Sequence, residues 1–321
     1  MLAVTLVAAL ATSAISLGDG GGRATALAVA DGKVWTTVRG GIVPLDARTG
    51  RLSGGARSTG QVAELASGAG SVWGLRPWTL VRIDPLRRTV RELHVHGPAY
   101  ALAVGFGSVW VANVRDGTLS RIDARTGRTV STIHGVGREA EGVAVGFGSV
   151  WVSSVGPWRK GRGGVMVPLG RGTVTRIDPA RNAVVARIRV GRGAAAIAAG
   201  EDGVWVANAR GIRPANTVSR IDPASDTVRA TIRMARGAAA IAAGAGGVWI
   251  VASPRSAGGV LARIDPRTDL VSTTRLRPSW IPGTVLVYKG HVWVADEGTA
   301  TVLRLDPRTL RGTAAHIRIP A

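Results

Sequence analysis

The stretch Ala101-Leu102-Ala103-Val104-Gly105-Phe106-Gly107-Ser108-Val109-Trp110-Val111-Ala112-Asn113 holds two apolar runs, 101–104 and 109–112, split by the turn-forming Gly-Phe-Gly-Ser. Neither run alternates, so both read as strands buried on two faces. The next strand, Thr118-Leu119-Ser120-Arg121-Ile122-Asp123, alternates polar and apolar, and so does Thr129 to Ile133 after the turn Ala124-Arg125-Thr126-Gly127. Hydrophobicity therefore falls from the first strand to the fourth, as expected of a small sheet whose first strand faces an interior and whose last meets water.

Working outward from this copy, the Val-Trp pair returns at Trp35, Trp73, Trp110, Trp151, Trp205, Trp249 and Trp293, with gaps of 38, 37, 41, 54, 44 and 44 residues. A period near 40 marks a repeat architecture in which each unit is one sheet that cannot bury its own faces. The third strand ends in Asp in every copy (Asp46, Asp84, Asp123, Asp178, Asp222, Asp265, Asp306), and Pro follows five of them. That is turn chemistry: the Asp carboxylate bonds the turn backbone and Pro presets φ at the next position. Arg precedes the Asp by two in six copies (Arg82, Arg121, Arg176, Arg220, Arg263, Arg304), placing both on one strand face, where they can pair with neighbours in register. The seven repeat Trp residues are expected at equivalent buried sites between units.

Gly-Phe-Gly-Ser-Val-Trp-Val occurs twice word for word, at 105–111 and 146–152, and Val-Trp-Val-Ala-Asn followed by Thr-Val-Ser-Arg-Ile-Asp-Pro lies within 204–223. On these motifs the chain resembles the bacterial YVTN, NHL and virginiamycin B lyase-like group of β-propellers over about residues 24–320. The resemblance implies an all-β fold, a seven-bladed β-propeller of four-stranded antiparallel blades around a central channel. It implies no particular activity, because function lives in sites grafted on such folds.

Composition is consistent with one all-β domain over 24–320 preceded by an apolar leader over 1–23. Residues Met1 to Leu17 carry no charge, which suits a signal-peptide core or a short membrane anchor, although the basic segment that usually opens a signal peptide is missing. A strand closing the ring and a disordered cytoplasmic leader are the other readings. The expected location is extracytoplasmic, secreted or membrane-anchored. With no cysteine, disulfides and thiol chemistry are excluded. The net charge of +21 invites a polyanion, but only Lys33, Lys160 and Lys289 are lysines and the arginines are spread over every repeat. Nucleic acid is therefore disfavoured, and weak attraction to anionic envelope polymers or lipids is the expectation. The chain is expected to be a monomer.

Catalytic signals are thin. His94 and His96 share a strand face without a third ligand nearby in sequence, so no metal site and no cofactor is expected. In virginiamycin B lyases the elimination is attributed to His and Glu near the channel mouth with a divalent metal. Ten residues before each repeat Trp this chain has Thr25, Ala63, Tyr100, Glu141, Ala195, Ala239 and Gly283, none of them His, and Asp296-Glu297 is followed by Gly298, Thr299 and Ala300 rather than by a His. As general bases only Glu139, Glu141 and Glu297 qualify.

The residues that break the repeat point to one end of the ring. Loops between second and third strands, and links entering the next repeat, share that end. Trp78 and Trp158 fall in loops, Trp280 in a link, and Tyr100 opens an inner strand. The Trp151-to-Asp178 interval is 27 residues against 11 to 17 elsewhere, giving a long loop of the kind that carries recognition. The expected ligand-binding set is Trp78, Tyr100, Trp158 and Trp280 with Arg76, Arg138, Arg159 and Arg162. Beneath them stand Asn113, Ser154, Asn208 and Asp296, whose other reading is backbone capping. The expected function is a non-catalytic scaffold taking a small-molecule, glycan or protein ligand at this mouth; the alternative is a lyase-like or hydrolytic enzyme using acidic residues there.

Overall fold

The computed structural model describes residues 26–38, 40–156, 158–160, 166–168, 170–209, 215–235, 237–252, 259–276, 281–296 and 301–316, with backbone alone at 158–160, 166–168 and 313–316. The apolar leader therefore lies outside the described residues. Seven four-stranded antiparallel sheets follow one another along the chain: blade 1 over 27–58, blade 2 over 64–94, blade 3 over 99–133, blade 4 over 140–189, blade 5 over 194–233, blade 6 over 240–275 and blade 7 over 282–316. No helix occurs among the described residues. Within each blade the strands pair in chain order from inner to outer; blade 4 carries in addition a two-stranded ribbon, Trp158–Lys160 with Met166–Pro168, between its second and third strands. Blade 7 takes its outer strand, Gly312–His316, from the end of the same repeat, so no strand is exchanged between the first and last blades.

The ring closes through side chains. Leu27, Val34 and Leu45 of blade 1 pack in one cluster with Leu286, Trp293, Ala295 and Val302 of blade 7. Second strands such as Ser108–Asn113 are buried throughout, and outer strands such as Thr129–Ile133 are mostly exposed. All seven repeat Trp residues are buried to 2% exposure or less. Each of six indoles donates Nε1–H to the carbonyl five residues earlier, for example Trp205 to Gly200 at 2.9 Å and Trp110 to Gly105 at 3.0 Å. In blade 3 that place needs glycine by close approach, since a Cβ on Gly105 would lie 2.5 Å from Val145 Cγ1 of the next blade, whereas blade 1 has Ala30 there.

The repeat Asp and Arg do different work. The Asp carboxylate caps its own turn: Asp46 Oδ1 accepts from the N–H of Arg48 at 3.0 Å and of Thr49 at 2.6 Å. These bonds hold the carboxyls of Asp46, Asp84, Asp178 and Asp306 below the ordinary range, led by the N–H three residues on. The Arg lies directly opposite the repeat Trp, as Arg220 opposite Trp205, and stacks over its ring at 4.8 Å; Arg263 also comes within 3.8 Å of its own Asp265. From there it reaches the next blade's turn. Arg121 donates to Pro179 O at 2.6 Å and Asn182 Oδ1 at 2.7 Å; Arg176 pairs with Asp226 at 3.1 Å and Arg220 with Asp269 at 3.0 Å. Blade 2 does the same through Arg82 to Arg125 O at 2.9 Å.

This chain of staples stops at blade 6. Leu310 stands in blade 7 where Asp269 stands in blade 6, and Arg263 turns back to Gly246 O of its own hairpin at 2.7 Å. Arg304 of blade 7 donates to His291 Nε2 at 2.7 Å within its own blade. Blade 1 has Pro44 opposite Trp35. Among the described residues, then, the junctions 6/7, 7/1 and 1/2 carry no such Arg staple; apolar packing dominates them, with Val29 N–H donating to Ser67 Oγ at 3.2 Å across 1/2.

Candidate recognition face

The hairpins between first and second strands and the turns between third and fourth strands occupy one end of the ring. The loops between second and third strands and the links between blades occupy the other. At this loop end Trp78 sits in the Pro77-Trp78 connection between Ser71–Arg76 and Thr79–Ile83 of blade 2, with 51% of its surface exposed. The backbone beneath it is stitched to the link that enters blade 3. Trp78 O accepts from Val95 N at 3.2 Å, and Pro77 O from Ala99 N at 2.7 Å. Half-buried Tyr100 follows Ala99 directly, so the fold brings Trp78 and the start of the Tyr100 strand together at the boundary of blades 2 and 3. Arg76 is tied into the same region, with Nη2 2.7 Å from Glu92 Oε2 and Nη1 donating to Thr59 O at 3.2 Å. Arg138 is exposed in the link entering blade 4.

The four polar residues at second-strand ends are placed differently from a contact ring. Asn113, Ser154, Asn208 and Asp296 are each 0% exposed. Asn113 Nδ2 donates to Thr118 Oγ1 and Ser120 Oγ, both at 2.9 Å, and Asn208 repeats this with Thr217 at 3.0 Å and Ser219 at 2.9 Å. Ser154 Oγ donates to Val136 O at 3.4 Å, and Asp296 accepts from Ile281 N–H. Asn113 and Asn208 are thus spent on third-strand hydroxyls and Ser154 and Asp296 on backbone groups, so none offers its side chain at the surface of the mouth. Of the remaining predicted residues, Arg162, Trp280 and Glu297 lie outside the described residues, as do the side chains of Trp158 and Arg159 on the blade 4 ribbon.

Of the acidic candidates, Glu139 is half-buried and Glu141 is 3% exposed. His94 and His96 are exposed. Among the described residues no three His, Cys, Asp or Glu side chains converge as a metal site would require.

One acidic residue escaped the sequence reading. Glu64 opens the inner strand of blade 2, is 2% exposed, and accepts from Leu102 N–H at 3.1 Å. That N–H lies on the inner edge of blade 3, which no strand covers. Glu64 Oε1 has no partner among the described residues. Burial pushes its carboxyl well above the ordinary value, opposed by the single Leu102 bond. The available signal was positional: nine residues before the repeat Trp the other copies have Ala26, Ala101, Gly142, Ala196, Ala240 and Thr284. A raised folded-state value means the folded chain binds this proton more tightly than the unfolded one, so the contribution is present at low pH and is lost as pH rises above the unfolded value toward the folded one. Glu64→Gln is therefore expected to melt higher than the parent at pH 8, with the difference shrinking toward pH 5. Equal melting profiles across pH 5–8 would refute the assignment.

No protein-family model and no curated protein matches the sequence. Among solved structures the chain is similar to the Neurospora crassa Pan2 WD40 domain, at 13% identity and a TM-score of 0.66 over 91% of each chain. It is equally similar to Kuenenia stuttgartiensis hydrazine synthase, at 12% identity and a TM-score of 0.66 over 95% of this chain and 99% of the other. At such identities these similarities show the seven-bladed β-propeller fold.

Proposed function

We propose that the protein is a non-catalytic interaction scaffold that works outside the cytoplasmic membrane and recognises a small-molecule, glycan or protein ligand on its loop end. Within the propellers we assign it to the YVTN, NHL and virginiamycin B lyase-like group, on the strength of the Gly-Phe-Gly-Ser-Val-Trp-Val repeats. The observation that carries the binding reading is Trp78: a large ring half exposed on a connection whose backbone is fixed by two hydrogen bonds. A rigid aromatic of this kind offers contact area at low entropic cost and is the residue type most often found as an anchor.

Purified protein screened on glycan and peptide arrays should give binders whose affinity falls about 30-fold in Trp78→Ala, the usual cost of truncating an anchor Trp, with an unchanged melting temperature. The same assay on Trp158→Ala and Trp280→Ala extends the map. Binders indifferent to all three substitutions would remove the loop end as the site. The location rests on the uncharged run Met1 to Leu17, and the +21 charge favours residence near anionic envelope polymers or lipids. Fusing residues 1–23 to alkaline phosphatase, active only after export, tests it; a silent fusion would place the protein inside.

A further inference from the structure

We propose a second interaction surface, on the rim of blade 6, that takes an extended acidic segment of another protein as a fifth strand. The outer strand of blade 6, Val271–Arg275, pairs with Val260–Ile264 on one side and, among the described residues, with nothing on the other. Leu276 N–H donates to Gly259 O and Leu270 O accepts from Asp265 N–H, so by the two-residue alternation of an antiparallel pair the N–H and C=O groups of Val271, Thr273 and Arg275 point away from the sheet. Unpaired edges of this kind template strand addition unless charge or proline blunts them. The outer strands of blades 4 and 5 are blunted by Arg187 and Arg189, and by Arg229 and Arg233, whereas that of blade 3, Thr-Val-Ser-Thr-Ile, carries no charge. Blade 6 has Val-Ser-Thr-Thr before its terminal Arg, preceded by Leu270 at 70% exposure.

Two solvent-open pockets flank this edge, one in each gap beside the blade, both bordered by Arg275 and otherwise lined mostly by apolar side chains. Toward blade 5 a cavity of about 270 Å³ is lined by Met234, Ile250, Ala252, Val260, Ala262 and Thr273. Toward blade 7 one of about 180 Å³ is lined by Leu261, Thr274, Leu276, Leu303, Leu305 and Leu310. The second exists where Leu310 replaces the staple residue of other junctions. Neighbouring strand residues point to opposite faces, so consecutive side chains of an added strand would enter the two cavities in turn. Main-chain bonds supply affinity in this mode and the alternate pockets supply specificity. The occupant's charge follows from its surroundings: Arg233, Arg275, Arg308 and Arg311 are exposed around the edge, and none is ion-paired among the described residues, on a chain of net charge +21.

The test uses a fluorescein-labelled peptide, Glu-Asp-Leu-Val-Phe-Glu-Asp, and a control with Lys at the acidic positions, titrated by anisotropy against the full chain. The acidic peptide should bind in the micromolar range and the basic one at least about tenfold more weakly. Thr273→Pro removes an outward N–H without touching the ladder to the third strand, a place where an edge tolerates proline, and should weaken binding at least about tenfold. Arg275→Glu should narrow the preference between the peptides, since Arg233, Arg308 and Arg311 remain. Failure of the acidic peptide to bind, equal binding by folded Thr273→Pro, or an unchanged preference in Arg275→Glu each overturns the proposal. Self-association of the parent chain that Thr273→Pro abolishes would overturn the assigned partner in favour of a second copy.

Discussion

Replacing Trp205 by alanine is expected to lower the stability of the propeller by about 4 kcal/mol, in the range found for large aromatic truncations in cores. The indole is 0% exposed, its Nε1–H satisfies the Gly200 carbonyl at 2.9 Å, and its face supports the Arg220 guanidinium at 4.8 Å. The substitution thus opens a cavity, removes the indole donor from the half-buried Gly200 carbonyl and removes the platform that aims a charged staple, three losses that act at one place. Urea unfolding monitored by far-UV circular dichroism measures it, and a drop under about 2 kcal/mol would mean the blade collapses onto the space far better than a close-packed interior allows.

The second large effect is expected at Arg220. Its side chain is 8% exposed and its partner Asp269 is 32% exposed, so the pair sits between the buried and surface cases. Arg220→Ala should cost about 2–3 kcal/mol, less than a fully buried pair because water reaches the carboxylate. Arg304→Ala should cost about 1 kcal/mol, since its guanidinium bonds only within blade 7. Arg220→Lys should recover less than half of the loss, because an ammonium lacks the planar fork that stacks on Trp205 while donating to Pro266 O at 2.6 Å and Asp269. Denaturation of the three variants side by side decides the matter, and equal costs for Arg220→Ala and Arg304→Ala would remove the distinction between stapled and unstapled junctions.

That distinction has a consequence for the ring as a whole. The stapled junctions run from blade 2 to blade 6, and the three unstapled ones adjoin one another across the point where the chain closes without exchanging a strand. Local opening starts where few bonds beyond apolar packing cross a boundary, which places the weakest seam at blades 6, 7 and 1. The rim cavity lined by Leu303, Leu305 and Leu310 lies on this seam, so a strand bound there would brace it by mass action.

The number of blades, their four strands, the burial of the seven Trp residues and the Asp turns were all legible in the chain, because each rests on chemistry within one repeat: strand period, turn propensity and local spacing. Trp78 was legible for a related reason, as a residue outside the repeat in a connection too short to bury it. What the repeat could not reveal lies between blades. That Arg220 serves Asp269 rather than its own Asp222 depends on how far one blade is rotated from the next, and so does the loss of that staple where Leu310 replaces an acid. The burial of Asn113, Ser154, Asn208 and Asp296, and of Glu64 against Leu102, follows from neighbouring backbone closing over them. A linear sequence states which groups are polar and where they recur; only the packed ring determines which of them water can still reach.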